Sequence, residues 1–270
     1  MGLERMAGMV RRATRLCLLV GCRYQADHAS AMAASLSYTS LLSLVPLMAI
    51  VLAMLAVFPA FEGVRANLEG WAFANFVPAV GEAVQDQLAG FVANAGRLSA
   101  AGIVGLAFSA VMLLVTIENA LDQVFRVPRA RPLLARLAVY WALLTLGPLL
   151  IGASLSLEGW QVARDIAAWA AWPLPTLLSA LAFWVMYGMV PNRKVDTLDA
   201  AIGGIAASLL FAALRWGFAV YLSRWNSYSN VYGAMAAVPI FLVWMYLSWV
   251  VVLIGAEITA ALPDWRAGKG

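Results

Sequence analysis

Ser35, Thr39 and Ser43 stand four residues apart in SLSYTSLLSLVPLMAI (residues 35–50), a stretch holding six hydroxyl side chains and one proline. On a helix, positions i, i+4 and i+8 share a face. These three would therefore present oxygen along one line, and Pro46 follows about one turn later. Proline withholds a backbone donor from the carbonyl four residues earlier, here that of Leu42, and pushes it aside. In lipid an unpaired carbonyl costs several kcal/mol unless water, a hydroxyl or a neighbouring helix satisfies it. Pro148 in TLGPLL would free Leu144 in the same way, and Pro239 in AAVPIF would free Met235. Two readings stay open. Either prolines are simply commoner in membrane helices and the hydroxyls bond only their own backbone, or discontinuous helices surround a polar pathway lined by Ser35, Thr39, Ser43, Pro46, Pro148, Arg215 and Pro239.

Charge at depth is the second kind of chemistry. Arg215 interrupts the apolar run Ala200–Leu222, about 22 Å along a helix that begins at Ala200. On insertion scales a guanidinium at the bilayer centre costs about 2.5–3.5 kcal/mol. Arg215 must either snorkel outward beside Trp216 or face an anionic headgroup or carboxylate. Glu118 and Asp122, one turn apart, and Glu257 lie at the ends of apolar runs. With Arg126 and Arg129 they could pair at a cytoplasmic mouth, or stay solvated. One histidine, His28, and two cysteines, Cys17 and Cys22, form no zinc-type ligand set, and no metal or other cofactor is expected. A phosphate-binding loop of the GxxxxGK[ST] form is absent, so any transport would draw on a gradient or a partner.

The elements that must hold these residues follow from composition. Hydrophobic residues make up 63% of the chain and charged residues 12%, with a mean hydropathy of +0.83. A soluble domain sits near about 25% charged; the surplus of apolar residues requires lipid as part of the solvent. Six uncharged or nearly uncharged stretches can each supply the roughly 20 residues that cross a bilayer. The spans are expected at about 29–58, 98–118, 137–157, 173–190, 200–222 and 232–257. Residues 1–27 are basic and amphipathic and read as a helix in the cytoplasmic headgroup layer. Residues 59–97 read as a helical segment on the outer face, and 258–270 as a cytoplasmic tail. The motif LVGC (19–22) has the look of a lipidation box, but its apolar lead, residues 16–20, is shorter than the about 7–15 residues a signal requires, so neither cleavage nor lipidation is expected. The fold class is thus all-α: one membrane domain over 1–270, a bundle of six transmembrane helices with an N-terminal interfacial helix.

Charge sets the orientation. With a cytoplasmic N-terminus, the inner segments hold thirteen basic residues: Arg5, Arg11, Arg12, Arg15, Arg23, Arg126, Arg129, Arg131, Arg136, Arg193, Lys194, Arg266 and Lys269. The outer segments hold four: Arg65, Arg97, Arg164 and Arg224. That asymmetry is the positive-inside pattern, and it accounts for the formal charge of +4 without nucleic acid as a partner. Both termini are expected in the cytoplasm. Small residues at four-residue spacing, Ala101/Gly105/Ser109 and Gly204/Ser208/Ala212, suit close helix packing.

Three segments carry a resemblance. AASLSYTSLLSLVPLM in the first span, VPNRKVDTLDAAIGGIAASLLF at the fourth-to-fifth junction and NVYGAMAAVPIFLVWMYLSWVVVLIGAEITAAL in the last are similar to the YihY / virulence factor BrkB family of bacterial inner-membrane proteins. The resemblance covers about Ala26 to Leu262. It implies six membrane helices and an inner-membrane location, and carries no catalytic motif to transfer. The family has borne the label ribonuclease BN, and some of its members are linked to envelope lipid export or serum resistance. The residues here do not suit a nuclease, which needs converging His, Asp or Glu ligands or a histidine acid–base partner. Three classes of function remain in view: a transporter or flippase of a lipid or other amphiphilic envelope substrate; a non-transporting scaffold or envelope-assembly partner; and an intramembrane enzyme, for which no motif is present. Membrane lipids are the expected partners, with a homo-oligomer or an envelope protein as a further one.

Overall fold

The computed structural model describes residues 2–56, 100–128, 131–132, 135–136, 140, 174–223 and 237–268. These hold six helices and no strand: α1 (Gly2–Ala26), α2 (Ala29–Ala56), α3 (Ala100–Val124), α4 (Leu174–Met189), α5 (Thr197–Ser223) and α6 (Ala237–Arg266). The outer-face segment expected over 59–97, and all of the expected third span except Tyr140, lie outside the described residues.

Helix ends follow local rules. α1 stops where His28 takes a left-handed conformation (φ 53°), and α2 restarts at once, with Ala31 N–H donating to His28 O at 2.9 Å. α3 ends in a Schellman pair: Val127 N–H donates to Asp122 O and Arg126 N–H to Gln123 O, with Arg126 itself at φ 52°. Asp196 caps α5 through its carboxylate, which accepts from Leu198 N–H at 3.2 Å. α6 continues past Glu257 to Arg266 with Pro263 inside it, and Gly268 (φ 68°) closes the turn beyond it. Pro46 falls inside α2, which runs as one 28-residue helix, and Pro239 falls in the first turn of α6 as described.

α6 is the hub, packed against α1, α2, α3, α4 and α5, while α4 also pairs with α5 and α2 with α3. Ala29, Ala33, Leu36, Leu121, Tyr187, Ala200, Leu253 and Ala256 form the core. Glycines bring backbones together. A Cβ on Gly204 would lie 2.9 Å from Trp184 N of α4, and one on Gly203 2.8 Å from Gly255 O of α6. Gly105 has nothing within 4 Å of such a Cβ among the described residues, so the Ala101/Gly105/Ser109 stripe is not a close crossing at its centre.

The outside is apolar and the inside carries polar groups. Leu177, Leu181, Val185 and Met189 lie exposed along one face of α4, and Leu198, Ile202, Ile205, Leu209 and Trp216 along α5. Arg23, Glu118, Asp199, Glu257, Thr259 and four serines are buried. In a soluble protein, contiguous apolar surface of this kind is rare and acidic residues are almost never fully buried unless paired. Thr197–Leu222 and Pro239–Arg266 are long and apolar enough to cross a membrane.

Candidate functional site

The charged side chains converge at one end of the helices, where α1 and α6 finish, α2 and α5 begin, and α3 and α4 finish. Each carboxylate there draws a different element. Glu118 accepts from Arg136 Nε at 3.0 Å and from the Tyr140 hydroxyl, while Arg136 also donates to Asn119 Oδ1. Asp122 accepts from the backbone N–H of Asn192, in the α4–α5 connection, at 2.9 Å. Asp199 pairs with Arg266 at 2.6 Å, joining the start of α5 to the end of α6. Asp264 pairs with Arg23, whose other nitrogen donates to Ala260 O at 3.0 Å.

Two more arginines serve helix C-termini. Arg131 donates to Met189 O at 3.0 Å, and Arg193 to Phe125 O at 3.0 Å. Cations at carbonyl-bearing helix ends are favoured by the unpaired carbonyls and by the helix dipole. Gln123 adds a bond to Asp27 O at 2.8 Å. This end is therefore laced by side chains from residues far apart in sequence.

Of the residues expected at the mouth, Glu118, Asp122, Arg126 and Glu257 do share this end, but they do not pair with one another. Glu118 takes Arg136 rather than Arg126; Arg126 stands 3.9 Å from Asp27; Arg129 lies outside the described residues. Glu257 is fully buried and neither oxygen has a hydrogen-bond partner. Arg23, Asp27, Arg136, Asp199, Asp264 and Arg266 complete the set and were not anticipated from sequence.

The α2 hydroxyls divide. Ser35 is exposed, and its carbonyl accepts from Thr39 Oγ1 at 2.9 Å. Ser43 is buried and donates across the α2–α3 crossing to Ser109 O at 2.9 Å. Ser40, also buried, accepts from Trp249 Nε1 at 3.0 Å, and Ser37 bonds Ala33 O at 2.6 Å. So the three residues of the expected stripe do not share one environment. The buried hydroxyls are Ser37, Ser40 and Ser43, each used in a backbone or interhelical bond. Pro148 lies outside the described residues. Pro239 is exposed, and Met235, whose carbonyl it was expected to free, lies outside them too.

Arg215 is half-buried, its guanidinium 5.6 Å from the Phe211 ring centroid. Phe211 continues into an aromatic group with Trp244 and Phe218 between α5 and α6. No carboxylate pairs with Arg215 among the described residues, and the neighbouring Trp216 is 73% exposed. A sequence-silent feature lies in the core: Tyr187, with no exposed surface, donates its hydroxyl to Val252 O at 2.8 Å, beside Gly255. Among the described residues no group of three or more His, Cys, Asp or Glu side chains could hold a metal ion.

Helices that turn aliphatic faces outward and enclose carboxylates, serines and a tyrosine define an all-helical membrane protein. The chain belongs to the virulence factor BrkB family, whose sequence model matches residues 20–269. It is 43% identical to a UPF0761 membrane protein of Rhodospirillum centenum, over 98% of this chain and 63% of that one. Against a UPF0761 membrane protein of Cronobacter sakazakii the identity is 41%, over 92% of this chain and 88% of the relative. For one of Rhodospirillum rubrum it is 46%, over 88% and 56%. The chain thus spans less than two thirds of the length of the Rhodospirillum relatives. No solved structure matches it.

Proposed function

We propose that the chain is a six-span protein of the bacterial inner membrane, with both termini cytoplasmic, that moves a lipid or other amphiphilic envelope substrate across or within the bilayer. The observation that carries the substrate class is Arg215. A guanidinium without a carboxylate partner among the described residues, half-buried against Phe211 and about 22 Å along the helix from Ala200, suits an anionic headgroup more than any described protein group near it. Support for six spans comes from chain direction. α3 and α4 both finish at the arginine-rich end, and between them in the sequence residues 137–157 are apolar and long enough to supply a return span. Clustering of Arg23, Arg126, Arg131, Arg136, Arg193 and Arg266 at that end agrees with a cytoplasmic placement. The reading involves no enzymatic chemistry, no cofactor and no nucleic acid; membrane lipids are the partners, alongside a second copy of the chain or an envelope protein.

A vesicle assay tests this. Purified protein reconstituted with a fluorescent anionic phospholipid should accelerate its exchange between leaflets, and Arg215→Ala should lower the rate about tenfold, the equivalent of roughly 1.4 kcal/mol. An inert parent protein would overturn the transport reading in favour of a second one. That alternative, a non-transporting scaffold, is favoured by one specific observation: Ser37, Ser40 and Ser43 are engaged in dry backbone and interhelical bonds rather than in a water-lined face.

A further inference from the structure

Glu257 is the one fully buried carboxylate among the described residues that neither accepts a hydrogen bond nor forms an ion pair. It has no exposed surface, and both oxygens lack a hydrogen-bond partner. The Asp27 carboxyl, at the joint between α1 and α2, lies within hydrogen-bonding reach of it, so that a proton on either could bridge the two, and Asp27 Oδ2 is itself buried with no group donating to it. Three carboxyl oxygens thus meet in the interior with no group among the described residues donating to them. A bare charge in such a place is costly enough that the group neutralises or acquires a partner.

The surrounding cations do not supply that partner. Arg23 of α1 is near enough to attract Glu257, yet its nitrogens are held by Asp264 and by Ala260 O. Arg126, just beyond α3, sits 3.9 Å from Asp27 and is 54% exposed. Glu118 and Asp122 of α3 are engaged by Arg136 and Asn192, and Asp199 of α5 by Arg266. Tyr187 of α4 gives its hydroxyl to Val252 O. His28, at the start of α2, is exposed. Tyr24 of α1 and Tyr246 of α6 complete the surroundings; burial pushes the Tyr24 phenol up, so it stays neutral. Among the described residues, Asp27, Glu257 and Asp264 therefore set three carboxylates against the two guanidinium groups of Arg23 and Arg126. The excess is one negative charge, and one proton removes it.

We propose that Glu257 and Asp27 form a proton-binding site, one fully buried and one half-buried carboxyl holding one proton between them where the end of α1 meets α3 and α6. Protonation gives the pair a donor as well as acceptors, so a carboxyl–carboxylate hydrogen bond can form where none exists between two anions. This site stands whether or not the chain transports anything.

Infrared difference spectroscopy on the full chain in detergent, stepped in pH, reads the protonated-carboxyl C=O stretch directly. The parent should show this band between about pH 6 and 8, where an ordinary glutamate is ionised. Glu257→Gln should lose it. Asp27→Asn should lose it as well, because Arg23 and Arg126 then balance Glu257 and Asp264 without a proton; a purely structural role for Asp27 predicts no such change. Because the native state holds a proton that the unfolded chain releases, the melting temperature of the parent should fall as pH rises through this range, and that of Glu257→Gln should fall less. Absence of the band from the parent would overturn the proposal, as would its survival in Glu257→Gln. So would a rise in the parent's melting temperature with sodium, potassium, calcium or magnesium that Glu257→Gln abolishes, which would make the pair a metal-ion site. Should Glu257→Gln fail to fold, the parent's band and its loss in Asp27→Asn still decide.

Discussion

Glu118 shows what a buried charge demands of its neighbours. At 1% exposure it accepts from Arg136 and Tyr140, residues of the stretch that follows α3 along the chain. Removing the guanidinium strands the carboxylate, and breaking a buried pair from one side costs about 3–5 kcal/mol. Arg136→Ala should therefore lower the melting temperature in detergent sharply, whereas Glu118→Gln, which keeps an oxygen for Tyr140 and buries no charge, should lower it less. Equal losses in the two variants would contradict this account. At this scale the sequence disclosed which residues are chemically special but not their partners. Glu118 and Asp122 stand out as acids at the end of an apolar run, yet Arg126 is no nearer in chemistry than Arg136, and only the meeting of helix ends selects between them. The hydroxyl stripe failed for a geometric reason. Over eight residues a helix rotates about 80° past whole turns, so Ser35 and Ser43 do not keep one environment. The buried arc of α2, through Ala29, Ala33, Leu36, Ser37, Ser40 and Ser43, is about 120° wide, and Ser35 and Thr39 fall outside it.

Helices here meet through missing side chains. Gly203 and Gly204 are neighbours in α5 and point to different partners, one to α6 and the other to α4; Gly255 answers from α6 against Tyr187 and Ala207. A methyl group at Gly255 would come within 2.6 Å of the Ala207 Cβ and closer still to the Tyr187 hydroxyl, the donor to Val252 O. Overpacking of this kind costs about 1–3 kcal/mol. Gly105→Ala meets nothing within 4 Å and trades glycine for the best helix former, worth about 1 kcal/mol. The melting temperature of Gly255→Ala should accordingly fall while that of Gly105→Ala holds or rises; the reverse order would mean that α5 and α6 are not in contact as described. Sequence located the small residues but could not say which stripes are crossings, because Ala101/Gly105/Ser109 and Gly204/Ser208/Ala212 have the same spacing. Helix ends were harder still. α1 and α3 stop on His28 and Arg126 in the left-handed region, where a glycine would ordinarily be the readable signal. Pro263 sits inside α6, where a proline would ordinarily mark an end.

For the molecule as a whole, the direction of each helix matters more than any contact. α2 and α5 leave the arginine-rich end, and α3, α4 and α6 return to it. That end also holds the finish of α1, tied to α6 by Arg23 and Asp264. Hydropathy and the distribution of Lys and Arg carried this level of organisation in the sequence, because each is a sum over many residues and tolerates local error, unlike the choice of a single partner. The side of the membrane on which this end lies is open to a direct test with native residues. Cys17 and Cys22 are the chain's two cysteines, both lie on α1, and both are exposed. A membrane-impermeant maleimide applied to intact spheroplasts should leave them unmodified, and the same reagent should label the protein after the membrane is opened. Since α1 leads directly into the polar end through Asp27 and His28, the outcome reports on that whole end at once. Labelling of intact spheroplasts would turn the arginine cluster outward, against the charge asymmetry on which the orientation rests, and with it the compartment from which the Glu257–Asp27 pair would exchange its proton.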